Sequence, residues 1–219
     1  MKRGVILFLI LFSYVTLNAQ SYEQLKKNVY DKQRYFRQSL ARTNNQDSVF
    51  REAQQYLFTI ADVFFRFWYN TPWAFNGNSQ TPGVGSIACG YFVTTTLNDM
   101  GFNIPRVKWA QQMAEDLIIK LTTDIKRFYN KPMDDVINYI KYKGEGLYIV
   151  GLDNHIGYIY YKEKEMAFVH STYYNPASGV TSEPLIGQNP LNNSKYRVIG
   201  KIFDEIMVRN WIYNIEYDE

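Results

Sequence analysis

The spacing of apolar residues changes once along this chain, and that change fixes the fold class. Up to about Lys143 they recur every three or four positions; from Gly146 they alternate. A period near 3.6 builds helices and a period of 2 builds strands. Helices first and strands second is an α+β pattern, with helices packed on a small antiparallel β-sheet. At 219 residues the chain can bury one full core, so a single domain with a helical extension is expected.

Tyr22 to Arg42 carries apolar residues at 22, 25, 29, 36 and 40, and Asn44-Asn45 breaks the run. A second helix is predicted over 46–69, with a wide aromatic stripe that includes Phe64, Phe65 and Trp68. A short one follows from Gly90 to Met100, stopped by Gly101. Arg106 to Phe128 places Val107, Ala110, Ala114, Leu117, Ile118, Leu121 and Ile125 on one face, which predicts a third long helix. Pro132 suits the first position of a fourth, ending near Gly144. Strands are predicted over 147–151, 155–161, 166–171, 179–184 and 196–203, and the tail from Asp204 fits either a helix or an edge strand. Residues 70–87 are rich in Asn, Gly, Pro and Ser. A loop of that length inside a compact domain usually has a function.

The first residues read as an address. Lys2-Arg3, an apolar run from Val5 to Val15 and a small residue at Ala19 make a secretory signal, with cleavage near Ala19. The run is too short to span a bilayer comfortably, so no membrane span is expected once it is removed, and the body is expected to be periplasmic or secreted. The expected division is a signal peptide over 1–19, an N-terminal helical extension over 20–70 and a body over 71–219. Removing Lys2 and Arg3 from the 24 basic residues leaves 22 against 21 acidic ones. That balance holds no basic excess to neutralise phosphates and argues against nucleic acid as a partner.

The chain holds one Cys and two His. A disulfide framework or a Cys/His zinc cluster is therefore excluded within one chain. Cys89 falls where the loop meets a helix start, a place that stabilises a thiolate. Gly83, Gly85 and Gly90 let the backbone there pass close to a substrate. His155 opens one predicted strand and His170 closes the next, so a tight turn makes the two imidazoles neighbours. Such an arrangement fits a thiol, a base and a group that orients the base. A two-His metal site competes, but only Asp153 is close in sequence as a further ligand, and no metal is expected. No cofactor is expected either: the glycines at 83–85 lack the Lys and Ser/Thr of a phosphate loop.

These residues resemble the NlpC-type cell-wall cysteine peptidases. The family pattern is a Pro-Tyr-x-Trp-Gly-Gly loop, Asp-Cys-Ser-Gly-Phe at a helix start, then Gly-Asp-Leu-Val, His-Val-Gly-Ile-Tyr and Phe-x-His-Ala/Ser strands. Here stand Pro72-Trp73-Ala74-Phe75-Asn76-Gly77, Ala88-Cys89-Gly90-Tyr91-Phe92, Gly146-Leu147-Tyr148-Ile149-Val150, His155-Ile156-Gly157-Tyr158-Ile159 and Phe168-Val169-His170-Ser171. Gly101 to Arg106 is similar to the Gly-x-x-hydrophobic-Pro-Arg that often follows the family's Cys helix. The match runs from residue 72 to about 185. The chain differs at Ala88, where the family has Asp, at Gly90, where it has Ser, and at Trp73, where it has the active-site Tyr. Papain-like amidases of the CHAP kind are similar at greater distance.

The resemblance implies a papain-like fold with Cys89 as nucleophile at a helix N-terminus, His155 as general base and His170 as the third polar residue. It implies hydrolysis of a peptide or amide bond in peptidoglycan stem peptides, with peptidoglycan or a peptide as the partner. Trp73, Asn76, Gly85 and Tyr91 are then the expected lining of the substrate groove. Two other readings stay open. One is a non-catalytic exported protein that binds a partner through some of its 19 tyrosines. The other is an acyltransferase that uses the same thiol.

Overall fold

The structure is a computed structural model that describes residues 4–218, with side chains from Tyr22 onward. The signal peptide expected over 1–19 lies outside the residues whose side chains are described. The fold is α+β. Helices α1 (Gly4–Arg42), α2 (Gln46–Trp68) and α3 (Cys89–Asp99) come first. Short helices α4 (Arg106–Ala110) and α5 (Ala114–Leu121), strand β1 (Ile125–Tyr129) and helix α6 (Met133–Lys143) follow. Strands β2 (Gly146–Leu152), β3 (Ile156–Lys162), β4 (Glu165–Ser171) and β5 (Val180–Pro184) form a meander. Helix α7 (Pro190–Asn193), strand β6 (Tyr196–Lys201) and helix α8 (Glu205–Tyr213) close the chain. The sheet is antiparallel throughout, in the order β1-β6-β2-β3-β4-β5.

Alternation along the strands decides the layers. In β2, Leu147 and Ile149 join a core shared with α1, α2, α3, α5 and α8, while Tyr148 and Val150 face a second core under α6. The helices of the 20–70 segment are thus continuous with the core of the body. Gln33 of α1 makes that join polar as well as apolar: its buried amide donates to the carbonyls of Gly101 and Trp211. Asn45 caps α2 by accepting from the Ser48 N–H, so the Asn pair that breaks one helix starts the next.

The long helix predicted over 106–128 is not formed. Its first part is α4, its middle is α5, and its last residues are β1. Leu117, Ile118 and Leu121 do bury on one helical face. Beyond Thr122 the backbone pairs instead with β6, Arg127 opposite Val198. An open sheet edge offered hydrogen bonds that the apolar period could not reveal. The ambiguous tail is helix α8, capped by the Asp204 side chain accepting from the Met207 N–H.

Candidate active site

Cys89 is the first residue of α3, and three elements hold it there. The N–H of Ile87 donates to the Pro72 carbonyl and that of Ala88 to the Gly77 carbonyl, both 2.8 Å. Ser171 at the end of β4 donates to the Ile87 carbonyl at 2.7 Å. From the far side, the hydroxyl of Tyr158 in β3 donates to the Val93 carbonyl at 3.0 Å and fixes α3 against the sheet. Gly90 is required by packing: a Cβ there would stand 2.3 Å from the Ala110 carbonyl oxygen. Its absence brings the end of α4 against the start of α3.

His155 sits in the tight β2–β3 turn, where its carbonyl accepts from the Leu152 N–H. Its Nε2 lies 2.8 Å from Nδ1 of His170. The Nε2 of His170 lies 3.2 Å from a carboxylate oxygen of Glu183 in β5. Glu183 pairs with Phe168 and Thr181 with His170, so Glu183 and His170 are diagonal neighbours on one sheet face. The ring of Phe168 lies on that of His170, centroids 4.0 Å apart. Gly157 makes room for this stack, since a Cβ there would come within 2.8 Å of both Phe168 and His170. Both imidazoles are buried. Among the described residues, His155 Nδ1 has no partner.

One tautomer chain satisfies these contacts with a carboxylate at its end. His170 donates its Nε2–H to Glu183, its Nδ1 accepts Nε2–H from His155, and His155 Nδ1 is left as a free acceptor. Cys89 and His155 line one cavity of about 610 Å³. The Cys89 thiol is half-buried, within reach of the N–H groups of Ile156 and Gly90. Burial pushes its pKa up, opposed by those N–H groups. This differs from the lowering expected of a bare helix start: desolvation outweighs the helix amides here. Burial, aided by the neighbouring His170, holds His155 well below the ordinary histidine range. Burial lowers His170 too, and Glu183 offsets part of that. Both shifts favour a neutral thiol beside a neutral imidazole at rest.

The other carboxylate near the turn has a different task. Asp153 accepts from the Ser194 hydroxyl and the N–H groups of Lys195 and Tyr196, which hold its pKa low. It ties the β2–β3 turn to the start of β6. The two histidines meet nitrogen to nitrogen as a hydrogen-bonded pair, and among the described residues no three His, Cys, Asp or Glu side chains are grouped to hold a metal ion.

The structure brings Cys89, His155 and His170 together and disperses the four expected groove residues. Trp73 packs on Tyr173, which in turn packs on His155 at 5.3 Å between centroids. Tyr91 lies under the Arg106 guanidinium and accepts from Gln111. Arg106 also donates to the carbonyls of Asn78 and Ser79, so Tyr91 and Arg106 moor the 70–87 loop. Asn76 and Gly85 are exposed on that loop. None of the four lines the cavity, whose wall comes from the α4–α5 segment, with Trp109, Gln112 and Asp116. Sequence reasoning missed Glu183 and this wall. The position of Glu183, on the strand after His170, was the available signal.

No family model and no curated protein matches the chain. It is similar to a solved N-acetylmuramoyl-L-alanine amidase from Bacteroides uniformis, at 10% identity and a TM-score of 0.34, over 69% of this chain and 99% of that one. A resemblance so slight carries no argument about fold or activity.

Proposed function

We propose that this chain is an exported cysteine hydrolase of papain-like design that cleaves an amide bond in peptidoglycan stem peptides. The observation that carries the reading is the unpartnered, buried Nδ1 of His155, on the same cavity as Cys89 and backed by His170 and Glu183. A buried imidazole with one nitrogen braced and the other unpartnered, on a cavity it shares with a thiol, is what a general base requires. The cell-wall substrate rests on the resemblance in sequence.

In this mechanism the Cys89 sulfur attacks the scissile carbonyl as its proton passes to His155 Nδ1. The charge that develops on His155 is stabilised by Nε2–H donated to His170, and that of His170 by Glu183. The backbone N–H groups at the start of α3, where Ala88 offers no capping side chain, receive the oxyanion. His155 then returns the proton to the leaving amine as the carbon–nitrogen bond breaks. Water, deprotonated by His155, cleaves the thioester and restores the thiol. A neutral resting pair means that proton transfer accompanies attack rather than preceding it.

Purified peptidoglycan incubated with the protein tests this, with released fragments and new amino termini followed by mass spectrometry. Wild type is expected to release them, and Cys89→Ala and His155→Ala to fall by at least about a thousandfold. Wild type that leaves peptidoglycan intact overturns the substrate. Release unaffected by Cys89→Ala overturns the nucleophile.

A further inference from the structure

The β2–β3 turn buries a residue where turns are normally wet. Asp153 and Asn154 are exposed, yet His155, the next residue, is only 3% exposed. A turn lies at the rim of a sheet, so a buried turn residue needs cover from outside its own hairpin. Phe168 and His170 supply two rings from β4, at 6.2 and 5.0 Å between centroids. Tyr173 supplies a third, edge to face at 5.3 Å and 66°. It is the one ring of the three that does not come from a strand. It is partly exposed, whereas Phe168 and His170 are fully buried. Tyr173 is therefore the layer between His155 and water.

The β4–β5 connection holds that ring in place. It closes on itself through the Thr172 N–H, which donates to the Gly179 carbonyl at 2.8 Å. The Trp73 N–H donates to the Pro176 carbonyl at 2.8 Å and ties the connection to the 70–87 loop. Gly179 permits this approach, since a Cβ there would overlap the Thr71 carbonyl. The Tyr173 ring is then flanked by Trp73 at 6.1 Å and Tyr174 at 4.9 Å. Its hydroxyl donates to Asn154 Oδ1 at 3.3 Å, a long bond to an exposed residue and so a weak one. The ring, rather than the hydroxyl, carries the contact.

We propose that Tyr173 is a positioning residue for His155, its ring shielding the imidazole from water and fixing its orientation from the side opposite the strands. Burial is the main reason that His155 stays below the ordinary histidine range, with His170 second, so removing the cover is expected to release it. The charged groups nearby belong to other contacts or elements. Glu183 acts through His170, Asp153 is held by the Ser194–Tyr196 segment, and Glu115 and Asp116 line the cavity from α5. A change at Tyr173 leaves them all in place. The role of His155 as base rests on the hydrolase reading; its shielding by Tyr173 does not.

The test is a pH titration of the imidazole nitrogens in the 15N-labelled full chain, whose two histidines are assigned with His155→Gln. In wild type His155 is expected to stay neutral from about pH 8 to about pH 5. Tyr173→Ala is expected to bring its protonation midpoint to within about one pH unit of 6.5, and Tyr173→Phe to restore the wild-type curve. Nuclear Overhauser contacts between the Tyr173 ring and the His155 imidazole in wild type need no variant, and their absence overturns the proposal even if Tyr173→Ala fails to fold. Tyr173→Ala that titrates like wild type overturns the shielding. Tyr173→Phe that titrates like Tyr173→Ala assigns the effect to the hydroxyl and overturns the role of the ring. If the titrations behave as expected and wild type leaves peptidoglycan intact, the hydrolase reading fails and the shielding stands. If peptidoglycan is cleaved and Tyr173→Ala leaves His155 unchanged, the reverse holds.

Discussion

The hydroxyl of Ser171 donates to the carbonyl of Ile87 at 2.7 Å, joining the residue after one histidine to the residue two before the thiol. Both residues are fully buried. Ser171→Ala leaves that carbonyl without its partner, at a cost of about 1–3 kcal/mol. Urea denaturation is expected to show the loss, and peptidoglycan turnover to fall more than the folded fraction does. Unchanged stability would mean that another donor takes over at Ile87.

Glu183 ends the imidazole chain, and in the proposed mechanism its contribution is electrostatic. Glu183→Gln keeps an acceptor oxygen but removes the charge that stabilises a protonated histidine pair. Turnover is expected to fall by about a hundredfold with KM little changed, within the range that proton-transfer catalysis supplies. Glu183→Ala is expected to fall further. A variant that changes KM alone would assign Glu183 to substrate binding instead.

Stability should depend on pH in a direction set by the two histidines. Both have folded pKa values below the ordinary 6.5. Above that value folded and unfolded forms bind the same number of protons at these sites, and stability is full. As the pH falls below it, the unfolded chain takes up protons that the folded one refuses, so the melting temperature drops. Thermal melts from pH 8 to pH 5 are expected to show this, with a shallower slope for His155→Gln. The acid limb of the pH–rate profile is expected below 6.5 for the same reason.

Gly90 sets the distance between the helix that begins at Cys89 and the cavity wall. Gly90→Ala would force a Cβ to within 2.3 Å of the Ala110 carbonyl, a backbone atom that cannot rotate away. A loss of about 1–3 kcal/mol is expected, with a changed accessibility of Cys89 to iodoacetamide. An unaffected melting temperature would show that α4 moves freely.

What could be read from the sequence follows from which forces are local. The period-2 pattern of 146–203 is a local property, and the strands fall close to where it placed them. The contact of His155 with His170 needed only a tight turn between adjacent strands. The 106–128 segment misled because helical spacing persists into Ile125, whereas the edge of β6 captures the backbone there. The polar stretch Thr122-Thr123-Asp124 stands where the helix ends, directly after Leu121. Asp204 marked the start of α8 in the same way, by capping it. Glu183 required the β4–β5 register, which no single strand carries. Trp109 and Gln112 required the approach of α4 to α3, which only Gly90 hinted at.

The amide of Gln33 reaches the carbonyl of Trp211, 178 positions further along the chain. Such a contact cannot form while α8 is still unmade. Synthesis therefore delivers α1 and α2 long before the element that seals their aromatic faces, and that face of the core is completed only when the last helix arrives.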